Sequence, residues 1–300
     1  MIETKQIKKS FDGTMAVDDI SLSIKDGSIF GLIGTNGAGK STFMRMLAGV
    51  LKPDSGEIIV DEKKVYNNPE IKAEICFLSD DHFFPSNANV RDMEKFYGMM
   101  YPSFDHEKYK DMIERFELPS KSKIRNYSKG MKKQLQIILG ICTGSKYLLC
   151  DETFDGLDPV MRQAIKSIFA GEVAERNFTP IIASHNLREL EDICDSVGLL
   201  YKGGVVLSKD IEELKMDIHR IQCVFGSEES KDETLKQLDV LKDDVRGSLH
   251  LITARGQAKD IEEIISKADT IFCEVLPLTL EEIFISETEV IGYDIKKLIG

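Results

Sequence analysis

Residues 34–41 are the stretch that most constrains the fold of this chain. They read Gly-Thr-Asn-Gly-Ala-Gly-Lys-Ser and fit every fixed position of the P-loop pattern, which is Gly, four residues, Gly, Lys, and Ser or Thr. The apolar residues 29–33 predict a buried strand before the loop, and residues 41–47, without Gly or Pro, predict a helix after it. Glycines let successive backbone N–H groups point at phosphate oxygens, and the helix N-terminus adds partial positive charge. The segment therefore predicts a cradle for nucleotide phosphates.

The charged and hydroxyl residues of this loop have specific expected roles. Lys40 is placed to reach the β- and γ-phosphates, and the Ser41 hydroxyl is placed to bind Mg²⁺. The other loop residues are expected to surround the phosphates: Gly34, Thr35, Asn36, Gly37, Ala38 and Gly39.

Polar side chains follow three further apolar runs. Residues 147–150 lead into Asp151 and Glu152, residues 75–78 lead towards Asp80, and residues 179–183 lead towards His185. Open α/β sheets bind ligands at the carboxyl ends of their strands, so these groups are expected near the phosphates. Asp151 is expected to hold Mg²⁺, and Glu152 to polarise a water molecule.

Composition excludes several classes of protein. The 300 residues carry a formal net charge of −12, which argues against a nucleic-acid partner because phosphate backbones need a positive surface. No stretch approaches the roughly 20 apolar residues of a membrane span, and the N-terminal residues lack the pattern of a signal peptide. A cytoplasmic protein is expected, with its six scattered cysteines reduced.

The chain is expected to form two domains. A P-loop nucleotide-binding domain over residues 1–214, with a helical subdomain at about 88–145, precedes a small α+β domain over 215–300. The second stretch holds 11 Lys or Arg against 18 Asp or Glu, a shift in composition that marks the boundary. Its expected elements are strands at 219–225, 248–253 and 271–275 and helices at 232–241 and 258–268. The fold class is therefore an α/β P-loop NTPase core with an antiparallel β lobe and a helical subdomain, followed by that small domain.

Two other segments have open roles at this point. Strands at 2–7 and 20–24 are expected in the antiparallel lobe, with residues 10–17 as a loop between them. Phe11 in that loop either stacks on a nucleotide base or simply packs. Ser128 is a plausible N-cap of the helix that begins after it, and residues 155–159 form a turn before another helix.

In this order, the stretches resemble the ATP-binding subunit of an ABC transporter over residues 2–214. The resemblance implies that Phe11 stacks on adenine and that residues 34–42, including Thr42, form the Walker A motif. It implies that Asp151 is the Walker B acid, Glu152 the general base for the hydrolytic water, and His185 the switch histidine at the γ-phosphate. Asp158 matches the D-loop, which crosses the dimer interface.

Two segments depart from the family pattern. Residues 127–131 read Tyr-Ser-Lys-Gly-Met where the family usually has Leu-Ser-Gly-Gly-Gln. Ser128 and Gly130, which the resemblance implies touch the γ-phosphate bound by the opposite subunit, are kept. At the Q-loop, Asp80 stands where Gln is usual, and its carboxylate is expected to bind Mg²⁺ as a hard oxygen ligand at the cost of added negative charge beside ATP.

The resemblance also implies ligands and partners. ATP and Mg²⁺ are the expected ligands, and a separate transmembrane permease is the expected partner, contacted at the inner face of the cell membrane. Head-to-tail pairing with a second copy or a paralogous ATPase is implied. Residues 276–284 resemble the tail of drug- and peptide-exporter ATPases, so an exporter is expected. The C-terminal domain is either regulatory or dimer-stabilising, or ends in a helix that packs back on the core.

Two other functions stay open. One is a non-transport ABC ATPase that acts on ribosomes or DNA, although such proteins usually carry two cassettes or coiled-coil inserts. The other is a nucleotide sensor with little turnover, for which Asp80 and Met131 are the supporting departures. His82, Phe83 and Phe84 are expected either under a coupling helix of a membrane subunit or buried in the helical subdomain.

Overall fold

The computed structural model describes residues 1–81 and 83–290. The chain forms two compact units, residues 1–208 and a second unit that begins at Lys209. The composition shift near residue 215 falls inside the first helix of the second unit.

The first unit alternates strands and helices. Its strands, of which the last runs on into the second unit, are β1 (Ile2–Phe11), β2 (Thr14–Ile24), β3 (Phe30–Gly34), β4 (Ser55–Val60), β5 (Lys63–Lys64), β6 (Ile75–Leu78), β7 (Tyr147–Asp151), β8 (Thr179–Ser184), β9 (Ser196–Tyr201) and β10 (Gly204–Asp210). Its helices are α1 (Lys40–Leu47), α2 (Pro69–Ala73), α3 (Val90–Met100), α4 (His106–Arg115), α5 (Lys129–Cys142), α6 (Pro159–Arg176) and α7 (Leu187–Ile193).

A six-stranded sheet in the order β10-β9-β3-β8-β7-β6 forms the centre of the first unit. β3 pairs in parallel with β8 and β9, and β7 pairs in parallel with β6 and β8. These strands are buried apolar runs, as both faces of a parallel sheet require. The carboxyl ends of β3, β6, β7 and β8 therefore meet at one edge, as the sequence predicted.

A second, antiparallel sheet in the order β2-β1-β4-β5 forms the β lobe. β1 and β2 are longer than expected, and the predicted loop over residues 10–17 is mostly strand. Asp12 and Gly13 turn the chain with φ of 46° and 80°, the left-handed pair that a two-residue hairpin turn needs. The predicted antiparallel lobe is confirmed, but the prediction of a loop over residues 10–17 was wrong.

The helical region over α3, α4 and α5 is built from capped helices. Asn89 begins α3 with a reciprocal capping box to Asp92, and Asp105 accepts two backbone N–H groups at the start of α4. Ser128 accepts the Met131 N–H and so caps α5, as predicted. Each such cap stabilises a helix by about 1 kcal/mol. The caps fix where each helix begins. This includes α5, which begins within residues 127–131, the segment that departs from the family pattern.

The second unit contains an α+β fold. Its elements are α8 (Ile211–Asp217), β11 (Ile218–Phe225), α9 (Glu228–Gln237), β12 (Asp239–Arg246), β13 (Leu249–Arg255), α10 (Ala258–Ser266), β14 (Thr270–Pro277) and α11 (Leu280–Val290). The antiparallel sheet runs β12-β13-β11-β14, so the βαββαβ portion has ferredoxin-like topology. The prediction of a helix over 232–241 is wrong at its C-terminal end, because residues 239–246 pair with β13 as a strand.

The fold class is confirmed: an α/β core with an antiparallel lobe and a helical region, followed by a small α+β unit. The core of the first unit is a cluster of buried side chains that joins α1 to both sheets, with Phe43 and Leu47 fully buried. Each such side chain contributes about 1.5–3 kcal/mol by leaving water. This packing holds α1, and with it the P-loop, against the central sheet.

Candidate functional site

The P-loop lies between buried strand β3 and helix α1. Gly37 and Gly39 have φ of 81° and 101°, in the left-handed region that glycine tolerates. A Cβ on Gly39 would lie 2.3 Å from the Ala16 carbonyl oxygen, so no other residue fits there. The buried Lys40 ammonium donates to the carbonyls of Gly34 (2.7 Å) and Thr35 (3.3 Å) and is thereby held over the loop.

Ser41 and Asp151 meet across the loop. The Ser41 hydroxyl donates to Asp151 Oδ1 at 3.1 Å, although the two residues are far apart in sequence. Asp151 ends the buried strand β7, and burial raises the pKa of its carboxyl, with the Ser41 hydrogen bond acting the other way. A hydroxyl and a carboxylate side by side are hard oxygen donors of the kind that Mg²⁺ prefers, so these residues fit a bound Mg²⁺.

Glu152 is the most connected acid of the site. Its Oε1 lies 3.3 Å from the Lys40 ammonium, and its Oε2 lies 2.8 Å from Nδ1 of His185. The same histidine nitrogen lies 3.4 Å from Asp155 Oδ2. Burial raises the pKa of Glu152 above its ordinary 4.5, and Asp155 acts in the same direction, whereas His185 and Lys40 oppose it. A half-buried carboxylate with a raised pKa is suited to accept a proton from water.

Most of these residues line one cavity of about 510 Å³, whereas Gly34 and the buried Asp151 do not line it. Its predicted members are Thr35, Asn36, Gly37, Ala38, Gly39, Lys40, Ser41, Thr42, Asp80, Glu152 and His185, and Ala16 and Asp155 also line it. Residues from the ends of β3, β6, β7 and β8 thus come together around the P-loop, as the strand-end argument predicted. The roles assigned to the individual side chains stay predictions.

Five predicted nucleotide-binding residues lie outside the lining of this cavity: Phe11, Gly34, Ser128, Gly130 and Asp158. Gly34 ends β3, and its carbonyl accepts a hydrogen bond from the Lys40 ammonium. Phe11 is the last residue of β1 and is 46% exposed, with the Lys9 ammonium 5.5 Å from its ring centre. Ser128 and Gly130 are at the start of α5, and Asp158 caps α6 by accepting the Met161 N–H. Ser128 and Gly130 therefore do not line the cavity around the P-loop of their own chain.

Two functional candidates were missed by sequence reasoning. Asp155 contacts His185, and the signal was its position three residues after Glu152. Lys133 is only 1% exposed, yet its ammonium donates to the Glu152 carbonyl at 2.7 Å. The available signal was its spacing: Lys133 lies four residues before the buried Ile137 and so falls on the apolar face of α5.

The expected contact surface for a membrane partner lies on the segment after Asp80. His82 lies outside the described residues. Phe83 is 86% exposed, so burial in the helical subdomain was wrong for this side chain, while Phe84 is half-buried. Among the described residues, no helix is both long and apolar enough to cross a membrane.

Comparison with known proteins agrees with the geometry. The sequence model of the ABC transporter family matches residues 17–155. The chain is 30% identical over 287 residues to the ABC transporter ATP-binding protein YtrB of Bacillus subtilis (strain 168). The alignment covers 96% of this chain and 98% of YtrB. It is 31% identical over 220 residues to the bacitracin transport ATP-binding protein BcrA of Bacillus licheniformis, covering 72% and 70% of the two chains.

A solved structure shows the same fold. A dimeric ATP-binding cassette in a post-hydrolysis state, bound to ADP and phosphate, aligns with a TM-score of 0.62 at 19% identity. The alignment covers 70% of this chain and 99% of that cassette.

Proposed function

This chain belongs to the ATP-binding proteins of ABC transporters, and from that membership we propose that it powers a separate membrane permease that works as an exporter. Proteins of this family are ATPases. The observation that carries the proposal is the meeting of Lys40, Glu152 and His185 in one cavity of a chain that matches a transporter ATP-binding protein over nearly its whole length. The similarity to a bacitracin transport protein supports export of a peptide-like or drug-like substrate.

In the proposed mechanism the P-loop holds the triphosphate. Backbone N–H groups of residues 35–40 and the Lys40 ammonium bind the β- and γ-phosphates, and Phe11 stacks on the adenine. Ser41, Asp151 and Asp80 would hold Mg²⁺, which supplies positive charge to the phosphate oxygens when bound. Lys40 leaves its carbonyl partners for the phosphates without moving far, because its ammonium already lies at the loop.

Glu152 and His185 act on the water. The Glu152 carboxylate accepts a proton from the attacking water, and the raised pKa makes it a better base than an ordinary glutamate. His185 holds Oε2 of Glu152, while Oε1 faces the Lys40 ammonium at 3.3 Å and becomes available to the water once Lys40 moves to the phosphates. His185 also contacts the γ-phosphate in this proposal and so senses whether ATP or ADP is bound.

The second half of the site comes from another subunit. Ser128 and Gly130 at the start of α5 lie outside the cavity of their own chain, and we assign them to the γ-phosphate of the opposite copy or of a paralogous ATPase subunit. Asp158 then lies in the loop that crosses the interface. The dimeric cassette of the same fold supports this arrangement. ATP closes the dimer, and hydrolysis opens it.

Purification of the tagged chain from detergent-solubilised membranes of its own host tests the transport role. A stoichiometric hydrophobic membrane subunit is expected to co-purify, and to change the rate of phosphate release when reconstituted with the chain. The Phe83→Ser variant, which removes an exposed aromatic side chain, is expected to lose this subunit. Met99→Ser, on the exposed face of α3, is the matched control and is expected to retain it. Recovery only with ribosomes or DNA would replace the proposal by the non-transport role.

A further inference from the structure

Lys133 is a cation buried inside the first unit. Its side chain is 1% exposed, and it lies on α5, the helix that begins at Ser128. An ammonium removed from water is costly unless charged or polar partners replace the lost hydration. The groups around Lys133 therefore indicate what it does.

Those groups are the backbone carbonyl of Glu152 and the side-chain carboxylate of Asp80. The Lys133 ammonium donates to the Glu152 carbonyl at 2.7 Å and lies 3.7 Å from Asp80 Oδ1. One turn further along the same helix, the Gln136 amide donates to the Ser79 carbonyl at 2.8 Å. Helix α5 is thus tied to the segments that follow both β6 and β7.

The contact with Glu152 falls where the backbone needs support. Glu152 has φ of 51°, a left-handed conformation that costs a residue with a side chain about 1–2 kcal/mol. Its N–H donates to the Ala183 carbonyl at 2.9 Å, and its own carbonyl is held by Lys133. The two bonds fix the peptide groups on both sides of the Glu152 side chain and so set where its carboxylate points.

The contact with Asp80 offsets charge. Asp80 is 60% exposed and lines the cavity that would receive the triphosphate. Its carboxylate would repel the triphosphate there, because both groups are negatively charged. Lys133 is a cation within 4 Å of that carboxylate, and it approaches from the protein side.

We infer that Lys133 is a positioning residue, which holds the Glu152 backbone in its catalytic conformation and neutralises Asp80 beside the nucleotide. This inference rests on the proposed role of Glu152 as the base. Asp80 is then tolerated at a position beside ATP because the chain carries its own counter-charge. Lys133 touches neither the nucleotide nor the reacting atoms.

Lys133→Met keeps the length of the side chain and removes the charge. Turnover is expected to fall by about 10-fold to 100-fold, the scale of a small misplacement of a catalytic group, with KM changed much less. Lys133→Arg is expected to recover turnover to within about fivefold, because a guanidinium also donates to the carbonyl. Lys132→Met on the same helix is the control and is expected to match the parent in turnover. If Lys133→Met does not fold cooperatively, Lys133→Gln, which is neutral but still a donor, replaces it in the measurement of ATP affinity, where the charge alone is tested.

A binding measurement tests the pairing without catalysis. ATP affinity in EDTA is measured by fluorescent-nucleotide displacement for the parent, Lys133→Met, Asp80→Asn and the double variant. Asp80→Asn is expected to improve affinity at least about threefold more in the Lys133→Met background than in the parent, because contacting charges are not additive.

Parent-like turnover in Lys133→Met, or additive affinities in the four proteins, would overturn the inference. A parent without ATPase activity would instead remove the proposed function, and the affinity cycle would still decide whether Lys133 pairs with Asp80.

Discussion

Nδ1 of His185 lies 2.8 Å from Oε2 of Glu152, so the residues that directly follow two neighbouring strands, β7 and β8, place a carboxylate and an imidazole in direct contact. The strands are parallel partners with Asp151 opposite Ala183, and this register brings the residues that follow them together. The contact is therefore a property of the sheet rather than of a flexible loop.

Glu152→Gln is expected to lower ATP turnover by about 10² or more while ATP binding is retained. The amide keeps the shape of the side chain but cannot accept the proton of water. Phosphate release and fluorescent-nucleotide binding measure the two effects. Glu175→Gln, an exposed change on α6, is the control and should leave both unchanged. Hydrolysis at the parental rate by Glu152→Gln would show that another group is the base.

ATP is expected to convert Glu152→Gln from a monomer into a dimer, because the bound triphosphate links the P-loop of one copy to Ser128 of the other. Static light scattering with and without ATP measures the mass. Ser128→Arg in the same background should stay monomeric, since a large side chain blocks the contact, yet it should still bind ATP. A monomer at saturating ATP in Glu152→Gln itself would contradict the two-copy site.

The acid limb of the turnover profile is expected to lie above pH 4.5, because burial raises the pKa of Glu152. Turnover is lost as pH falls through that raised value, since the protonated carboxyl is no longer a base. Asp155 raises this pKa and His185 lowers it, so Asp155→Asn should move the limb to lower pH and His185→Gln to higher pH. If the two variants shift the acid limb in the same direction, or if neither shifts it, the acid limb does not report the ionisation of Glu152. The position of the limb is compared rather than the maximal rate.

Arg176 and Arg115 make a matched pair for stability. Each contacts an acid one turn earlier on its helix, but Glu172 beside Arg176 is buried and Asp111 beside Arg115 is exposed. Arg176 also donates to the carbonyls of Ser145 and Ile141. Arg176→Gln is expected to lower the free energy of unfolding by about 3 kcal/mol, and Arg115→Gln by less than about 1 kcal/mol. Urea titration compares them, and equal losses would refute the role of burial.

Sequence reasoning found the parts of the molecule that local chemistry specifies. The P-loop glycines and the apolar strands before Asp151 and His185 leave periodic or fixed-position signals. The pairing of Lys133 with Asp80 leaves none, because the two residues lie far apart in sequence and meet only when α5 packs beside β6. Strand β12 was missed since Asp243 and Asp244 make an edge strand look like a polar helix or turn.

Helix α5 carries Ser128 at its cap and Lys133 about 7.5 Å further along its axis. In the proposed dimer each such helix belongs to two ATP sites at once, touching the nucleotide of the partner at one end and the base of its own chain one turn later. A dimer that pairs one copy with an intact α5 and one copy with a disrupted α5 would thus have no intact site.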